Sequence, residues 1–304
     1  MSPILSDRAV LSFDAFTTAF AATSSIAIDK DVDSSASHRT GRAAAPRLIV
    51  TDLDGTLLDE HGQVSARNAG ALRRAAAAGA RVVIATGRPV WWLGPVLDAG
   101  FTGTAVCLNG AVVYDAGADD IVATSPLTPS AMRRFVSALE DRVDFTVAVE
   151  RFGTDESCCW AEYDYAHPWG EARFARGSRD QVLDQPAAKL LIRAGQGSAS
   201  LATAARAMAD DQVHVTYSTD DGLLEVAAAG VDKGATLDRL AREWGVTPAE
   251  AVAFGDMPND LEMLTWAGRG VAMGNGHPDV VAVADEVAPE HHRDGVAVVL
   301  ERWF

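Results

Sequence analysis

The stretch Arg47-Leu48-Ile49-Val50-Thr51-Asp52-Leu53-Asp54-Gly55-Thr56-Leu57-Leu58-Asp59 decides how the rest of the chain is read. Leu48, Ile49 and Val50 form a short unbroken apolar run, the pattern of a strand buried on both faces in a parallel sheet. Two carboxylates follow where that strand should end, two residues apart, and Gly55 then lets the chain turn sharply. Alternate residues of an extended strand share a side, so Asp52 and Asp54 face the same way. Like charges that close repel unless a cation or a shared proton intervenes. Two readings follow: a solvated acidic turn, or a carboxylate nucleophile and a carboxylic acid beside a divalent metal.

The same grammar recurs along the chain. Ser65 to Ala78 reads as a helix, capped by Ser65 and ended by Gly79. Val82 to Ala85 is a second buried strand with Thr86 at its end, and Thr104 to Leu108 is a third, ending in Asn109-Gly110. Further on, Asp232-Lys233-Gly234 leads a helix with Leu237, Leu240, Ala241 and Trp244 on one face. Thr247-Pro248-Ala249-Glu250 fits a capping box. Ala251 to Phe254 is another buried strand, running into Gly255-Asp256-Met257-Pro258-Asn259-Asp260. Leu261 to Ala267 reads as a helix, Gly270 to Met273 as a short strand and Gly295 to Trp303 as the final helix. Strands alternating with helices, each strand ending in a polar residue, predict an α/β fold with a doubly wound, mostly parallel, Rossmann-like sheet. Such sheets bind ligands outside the carboxyl ends of their strands.

Between Thr86 and Lys233 lies far more chain than one crossover needs, whereas Asp54 to Thr86 leaves room for a turn and one helix. An inserted α+β cap domain is therefore expected over residues 119–228. It carries a helix from Thr128-Pro129 to Glu140, strands at Phe145–Val149 and Lys189–Arg193, and a helix capped by Ser198. A hairpin, Val213–Tyr217 with Leu223–Val226, closes it through Asp220-Asp221-Gly222. The core domain is expected as 46–118 and 229–304. Two domains also suit a chain of 304 residues, of which 48% are hydrophobic. Residues 1–45, rich in Ser, Thr, Ala and Asp, read as a disordered extension, with an organelle address as the alternative.

Net charge is −16, which disfavours nucleic acid and anionic membranes as partners. It also repels a phosphate substrate at long range, so any anion site must be made locally. Cys107, Cys158 and Cys159 match no metal spacing and read as reduced thiols, with a cytoplasmic setting. No run of about 18 uncharged apolar residues is present.

Asp52-Leu53-Asp54-Gly55-Thr56 resembles the first motif of the haloacid dehalogenase superfamily of phosphohydrolases. Thr86, Lys233, and Asp256 with Asp260 match its second, third and fourth motifs in order. Residues 45–304 are closest to the branch called Cof-type, or subclass IIB, whose cap follows the second motif. Ala85-Thr86-Gly87-Arg88, Asn109-Gly110-Ala111, Ala272-Met273-Gly274-Asn275 and Asp294-Gly295-Val296 add to the likeness. The resemblance implies a phosphatase acting on a small phosphorylated metabolite, a sugar phosphate first. Alternatives are a flavin precursor or pyridoxal phosphate as substrate, a phosphosugar mutase, or an idle phosphate-ligand-binding protein on the same fold. It also implies Asp52 as nucleophile and Asp54 as general acid, then base.

The chemistry asks for the same groups. A carboxylate approaches a phosphate ester only if a divalent cation bridges them. Mg²⁺ prefers oxygen ligands, which suits Asp52, the backbone carbonyl of Asp54, and Asp256. Asp260 would bind the metal through water or orient its ligands. Thr86 would donate to a phosphoryl oxygen, and Lys233 would meet developing negative charge. A lysine at a helix start is disfavoured by the dipole, so function is the better reading there than an ordinary surface lysine. Asn259 is expected at the phosphate or the metal. Asn109 is either a site contact or a simple turn residue. Arg88 either reaches the substrate or pairs with an acid. His167, in Tyr163-Asp164-Tyr165-Ala166-His167-Pro168-Trp169, reads as part of a surface loop rather than a ligand grip. Trp91 and Trp92 read as packing residues, and His291 and His292 as solvated. Nothing in the sequence names the substrate or the oligomeric state.

Overall fold

The computed structural model describes residues 44–167 and 174–304. The extension assigned to residues 1–45 lies almost wholly outside them, as do Pro168 and Trp169.

Two sheets organise the chain. The first is built from β1 (Leu48–Thr51), β2 (Arg81–Ala85), β3 (Thr104–Cys107), β4 (Val112–Asp115), β5 (Asp120–Thr124), and, much later, three more strands. The second uses β6 (Phe145–Glu150), β7 (Trp160–Glu162), β8 (Ala175–Gly177), β9 (Lys189–Ala194), β10 (Val213–Thr216) and β11 (Leu223–Ala228). The chain then returns to the first sheet with β12 (Ala251–Gly255), β13 (Arg269–Met273) and β14 (Glu286–Ala288).

The first sheet runs β14-β13-β12-β1-β2-β3-β4-β5. Every pair from β14 to β3 is parallel, and β4 and β5 add an antiparallel edge. From β1 the chain goes to β2 on one side and returns to β12 on the other, so the strand order switches beside β1. Carboxyl ends of β12, β1 and β2 therefore meet at a crevice, where open α/β sheets place ligands. Burial on both faces explains the unbroken apolar runs: Leu48 and Val50 pack with Leu237, Ala241 and Leu264, while Ile49 packs with Ile84, Phe254 and Val296. Ser65 caps the helix Ala66–Ala77 by accepting the Asn68 N–H, and Asp232 caps Lys233–Glu243 by accepting the Ala235 N–H.

The second sheet runs β10-β11-β9-β6-β7-β8 and is antiparallel apart from β7 with β8. One face, through Val147, Val149, Leu190, Ile192 and Leu224, packs on the helices Pro129–Glu140 and Ser198–Met208. The other carries a small core of Ala148, Cys159, Ala161, Tyr165, Phe174, Leu191 and Leu223.

Two sequence expectations change in detail. Asp120–Thr124 falls inside 119–228, yet it pairs with β4 as the edge of the first sheet, so the chain changes sheets only between Thr124 and Phe145. The turn at Asp119, with φ of 53°, folds this short hairpin back before the crossover begins. Ser198 does not cap its helix; Gly197 holds the cap position, and the Ser198 hydroxyl accepts the Gly222 and Leu223 N–H groups of the hairpin. No helix among the described residues is long and apolar enough to cross a membrane.

Candidate active site

The strand ends deliver the site. Asp52 follows β1, Thr86 follows β2, Asn109 comes two residues after β3, and Asp256 follows β12. After Asp52 the chain closes a tight turn, Leu58 N–H to Leu53 C=O at 2.9 Å, with Gly55 at φ of 73°. A side chain on Gly55 would run into the Asp256 carboxylate, so glycine is required twice over.

Lys233, wholly buried, donates to Asp52 Oδ1 at 2.7 Å and to Asp260 Oδ1 at 2.6 Å. Its pKa is raised: burial works against the ammonium, and the Asp260 and Asp52 carboxylates outweigh it. The other Asp260 oxygen accepts the backbone N–H groups of Asp256 and Met257 at 2.9 and 3.1 Å. Asp260 thus organises the loop after β12. Thr56 donates to Asp256 Oδ1 at 2.8 Å. Asp52, Asp256 and Asp260 each offer an oxygen within 4.8 Å of the others, a triad that could hold a metal ion. Burial raises the Asp256 pKa to about 7, with the Asp260 charge adding to it. Asp52 is pushed well above the carboxylate range by burial, against the pull of Lys233 and with Asp260, Asp256 and Asp54 adding.

Asp54 is the exposed member, its side chain 61% accessible. Arg88 holds both its oxygens, Nε to Oδ2 at 2.7 Å and Nη2 to Oδ1 at 2.6 Å. Of the two readings of Arg88, the structure shows the acid pair. Thr86 is buried, and its hydroxyl oxygen accepts the Arg88 N–H at 3.1 Å. The Asn109 N–H donates to Thr86 C=O at 3.0 Å, and the Asn109 side chain reaches both sheets. Its Nδ2 donates to Glu225 Oε2 at 3.0 Å on β11, and its Oδ1 accepts Asn259 Nδ2 at 3.1 Å. Asn109 also has φ of 55°, so it serves the turn and the site together.

A cleft of about 560 Å³ opens onto these groups, lined by Asp52, Asp54, Arg88 and Asn259. Its remaining wall holds residues that the sequence did not offer as site residues: Trp91 and Trp92, and Glu150, Lys189 and Glu225 from the second sheet. The two tryptophans pack edge to face, 4.9 Å between ring centroids, and face the cleft as well. Tyr165 and His167 are absent from that lining; Tyr165 is buried in the small core, with its ring edge to face with His167 at 6.0 Å. His291 is tied to Leu58 C=O and, through its N–H, to Asn275, which donates to Gly55 C=O; that ring is a brace for the first turn.

Comparison with known proteins agrees with this geometry. The family model of haloacid dehalogenase-like hydrolases matches residues 49–300. The chain belongs to that family. Within it, this is a Cof-type phosphohydrolase. It is 28% identical to a phosphoglycolate phosphatase of Methanoculleus marisnigri, over 85% of this chain and 97% of that protein. It is 28% identical to an HMP-PP phosphatase of Cronobacter sakazakii, over 85% and 96%. A 5-amino-6-(5-phospho-D-ribitylamino)uracil phosphatase of Bacillus subtilis is 26% identical over 84% and 95%. Among solved structures, a haloacid dehalogenase-like hydrolase from B. subtilis superposes with a TM-score of 0.72 at 25% identity, over 84% of this chain and 99% of that one. A subclass IIB sugar phosphatase superposes at 0.71 with 20% identity, over 84% and 98%, and shows the shared fold.

Proposed function

We propose that this chain is a Mg²⁺-dependent phosphatase that hydrolyses a small phosphorylated metabolite, a sugar phosphate by class, through an aspartyl-phosphate. The observation that carries the reading is Asp52 at the end of β1, bound by Lys233 and facing the cleft with Asp54. The three phosphatases named above act, by name, on small phosphorylated compounds of differing charge, which supports the coarser class, a small phosphorylated metabolite.

The donor set fits Mg²⁺. Three buried carboxylates cluster around one lysine, and burial, with the neighbouring carboxylates adding, raises the pKa values of Asp52 and Asp256. All-oxygen ligation is what Mg²⁺ takes. Asp52, Asp256 and the Asp54 carbonyl would hold it, while Asp260, with both oxygens engaged, would orient its neighbours. Bound there, the ion would screen nucleophile from phosphate and polarise the phosphoryl oxygens.

Asp52 then attacks phosphorus, and the bond from phosphorus to the leaving oxygen breaks. Asp54, held here as a carboxylate by Arg88, first turns from it and takes a proton from water, then gives that proton to the leaving oxygen. A water next attacks the acyl phosphate and loses its proton to Asp54. The bond between phosphorus and Asp52 breaks, releasing inorganic phosphate and restoring the carboxylate. Splitting the hydrolysis in two replaces one hard step with two easier ones. Lys233 holds Asp52 in one orientation and lies where negative charge grows. Thr86, its oxygen already accepting from Arg88, has its own proton to give to a phosphoryl oxygen.

Phosphate release from p-nitrophenyl phosphate tests the reading. Activity should require Mg²⁺, vanish in chelator and return on adding Mg²⁺; Ca²⁺ should inhibit because its looser coordination spoils in-line attack. Full activity in chelator would sink the metal-dependent mechanism.

A further inference from the structure

The inner wall of the cleft is made by Glu150, Lys189 and Glu225, 1%, 1% and 3% exposed. Strand register puts them together. Glu150 on β6 lies directly across from Lys189 on β9, and Glu225 on β11 lies across from Leu191, two residues further along β9. Residues two apart on a strand share a face, so all three charged groups project from the same side of the second sheet. That side meets the first sheet at the turn carrying Thr86: Lys189 Nζ donates to Gly87 C=O at 2.8 Å.

Lys189 has three N–H bonds to give and three acceptors around it. They are Gly87 C=O, Glu225 Oε1 at 2.7 Å, and Glu150 Oε2 at 2.9 Å, the last off the hydrogen-bonding direction. Glu225 can only accept, which fixes the amide of Asn109 with Nδ2 toward it. Asn109 Oδ1 must then accept, which fixes Asn259 in turn, Nδ2 inward. Asn259 Oδ1 is left without a hydrogen-bond partner in a residue only 5% exposed that lines the cleft. The polar chain from the second sheet thus ends on one acceptor without a partner, Asn259 Oδ1, with the Glu150 carboxylate beside it held by Lys189. Among the described residues, the cations lining the cleft are Arg88 and Lys189, and carboxylates occupy both.

We infer that the leaving group taken by this cleft carries hydrogen-bond donors and no negative charge, and that Glu150, seated on Lys189, is a specificity-determining residue that rejects carboxylates. This rests on the phosphatase reading. A hydroxyl or amino group satisfies Asn259 Oδ1. Among the described residues that line the cleft, a carboxylate or second phosphate finds no unpaired cation, and it meets Glu150, a buried carboxylate whose pKa burial already raises against the pull of Lys189. Another anion there must repel it or force it to take a proton. Trp91 and Trp92 supply apolar surface for the carbon skeleton.

The test compares kcat/KM with Mg²⁺ for p-nitrophenyl phosphate, ribose 5-phosphate, sorbitol 6-phosphate and 2-phosphoglycolate. The better polyol ester should exceed 2-phosphoglycolate by about tenfold or more. Glu150→Gln, isosteric but uncharged, should raise the ratio of 2-phosphoglycolate to that ester about fivefold. A residue that only supports the fold would lower both by one factor, and an unchanged ratio in a variant with a normal melt overturns the inference. If the variant does not fold, the wild-type ranking decides alone. A preference for 2-phosphoglycolate, with p-nitrophenyl phosphate still cleaved, overturns this inference and spares the phosphatase reading. Hydrolysis of none of the four overturns both.

Discussion

The two lysine-centred clusters that meet at the cleft are built alike and placed differently. Lys233 sits between Asp52 and Asp260, at strand ends and a helix start; Lys189 sits between Glu150 and Glu225, on the face of an antiparallel sheet. Both lysines are buried, and both have pKa values raised by two carboxylates against burial. The difference lies in what each pair of acids is left free to do. On the proposed reading Asp52, which gives one oxygen to Lys233 and lines the cleft beside Asp256, is placed for attack. Glu225 is spent on Lys189 and Asn109, an arrangement for holding two sheets in register. On the proposed reading the same ion-pair chemistry serves reaction at one edge and selection at the other.

Removing each lysine separates those roles with the largest effect. Lys233→Met strands two buried carboxylates and should cost about 3–5 kcal/mol of stability. Turnover of every ester should fall together. Lys189→Met strands two carboxylates as well and should cost a similar amount, yet it should reorder the esters rather than lower all by one factor. Denaturant melts with phosphate-release kinetics on both variants would check this; uniform loss in both would merge the two clusters into one role.

Placement also explains what the sequence could tell. Asp52, Thr86, Asn109 and Asp256 each follow a short apolar run and stand at or beside a tight turn, so each could be read locally, and β1, β2, β3 and β12 with them. Glu150, Lys189 and Glu225 are brought together by cross-strand register between segments far apart in the chain. No local signal marks them, and Lys189 and Glu225 sit in strands whose neighbours are apolar. Asn109 was legible as a turn residue, but its bond to Glu225 was not. Trp91 and Trp92 after Pro89 looked like packing because aromatic pairs usually are; facing the cleft is a tertiary fact. Asp120–Thr124 was assigned to the insert because the length arithmetic places an insertion without saying on which sheet its first strand will pair.

A smaller effect sharpens the electrostatic side of the comparison. Asp256 takes up a proton on folding, its pKa going from 3.8 to about 7 through burial and the Asp260 charge. Its contribution to stability is therefore full below 3.8 and lost as pH rises through about 7. In chelator, the Tm of the wild type minus that of Asp256→Asn should fall across this window, since asparagine keeps an acceptor for Thr56 but no proton to lose. Thermal melts of both proteins from acid to neutral pH would show it; parallel curves would mean that the cluster carries no excess charge.

The smallest effect belongs to the periphery of the second sheet. Ser178 caps the short helix Arg179–Val182 in a capping box with Gln181. Ser178→Ala should cost about 1 kcal/mol and leave the ranking of esters as it was. A changed ranking would show that specificity is spread through the second sheet rather than held by its charged face.

The central claim is that Asp52 carries the phosphoryl group. Rapid-quench trapping with labelled substrate, followed by peptide mapping, measures it directly in the wild type, Asp52→Asn and Asp54→Asn. The account predicts label on Asp52 in the wild type and none in Asp52→Asn. In Asp54→Asn, p-nitrophenyl phosphate should still form the phosphoenzyme, which should accumulate because the attacking water lacks its base. Label on Asp54, or a labelled Asp52→Asn enzyme, would contradict it.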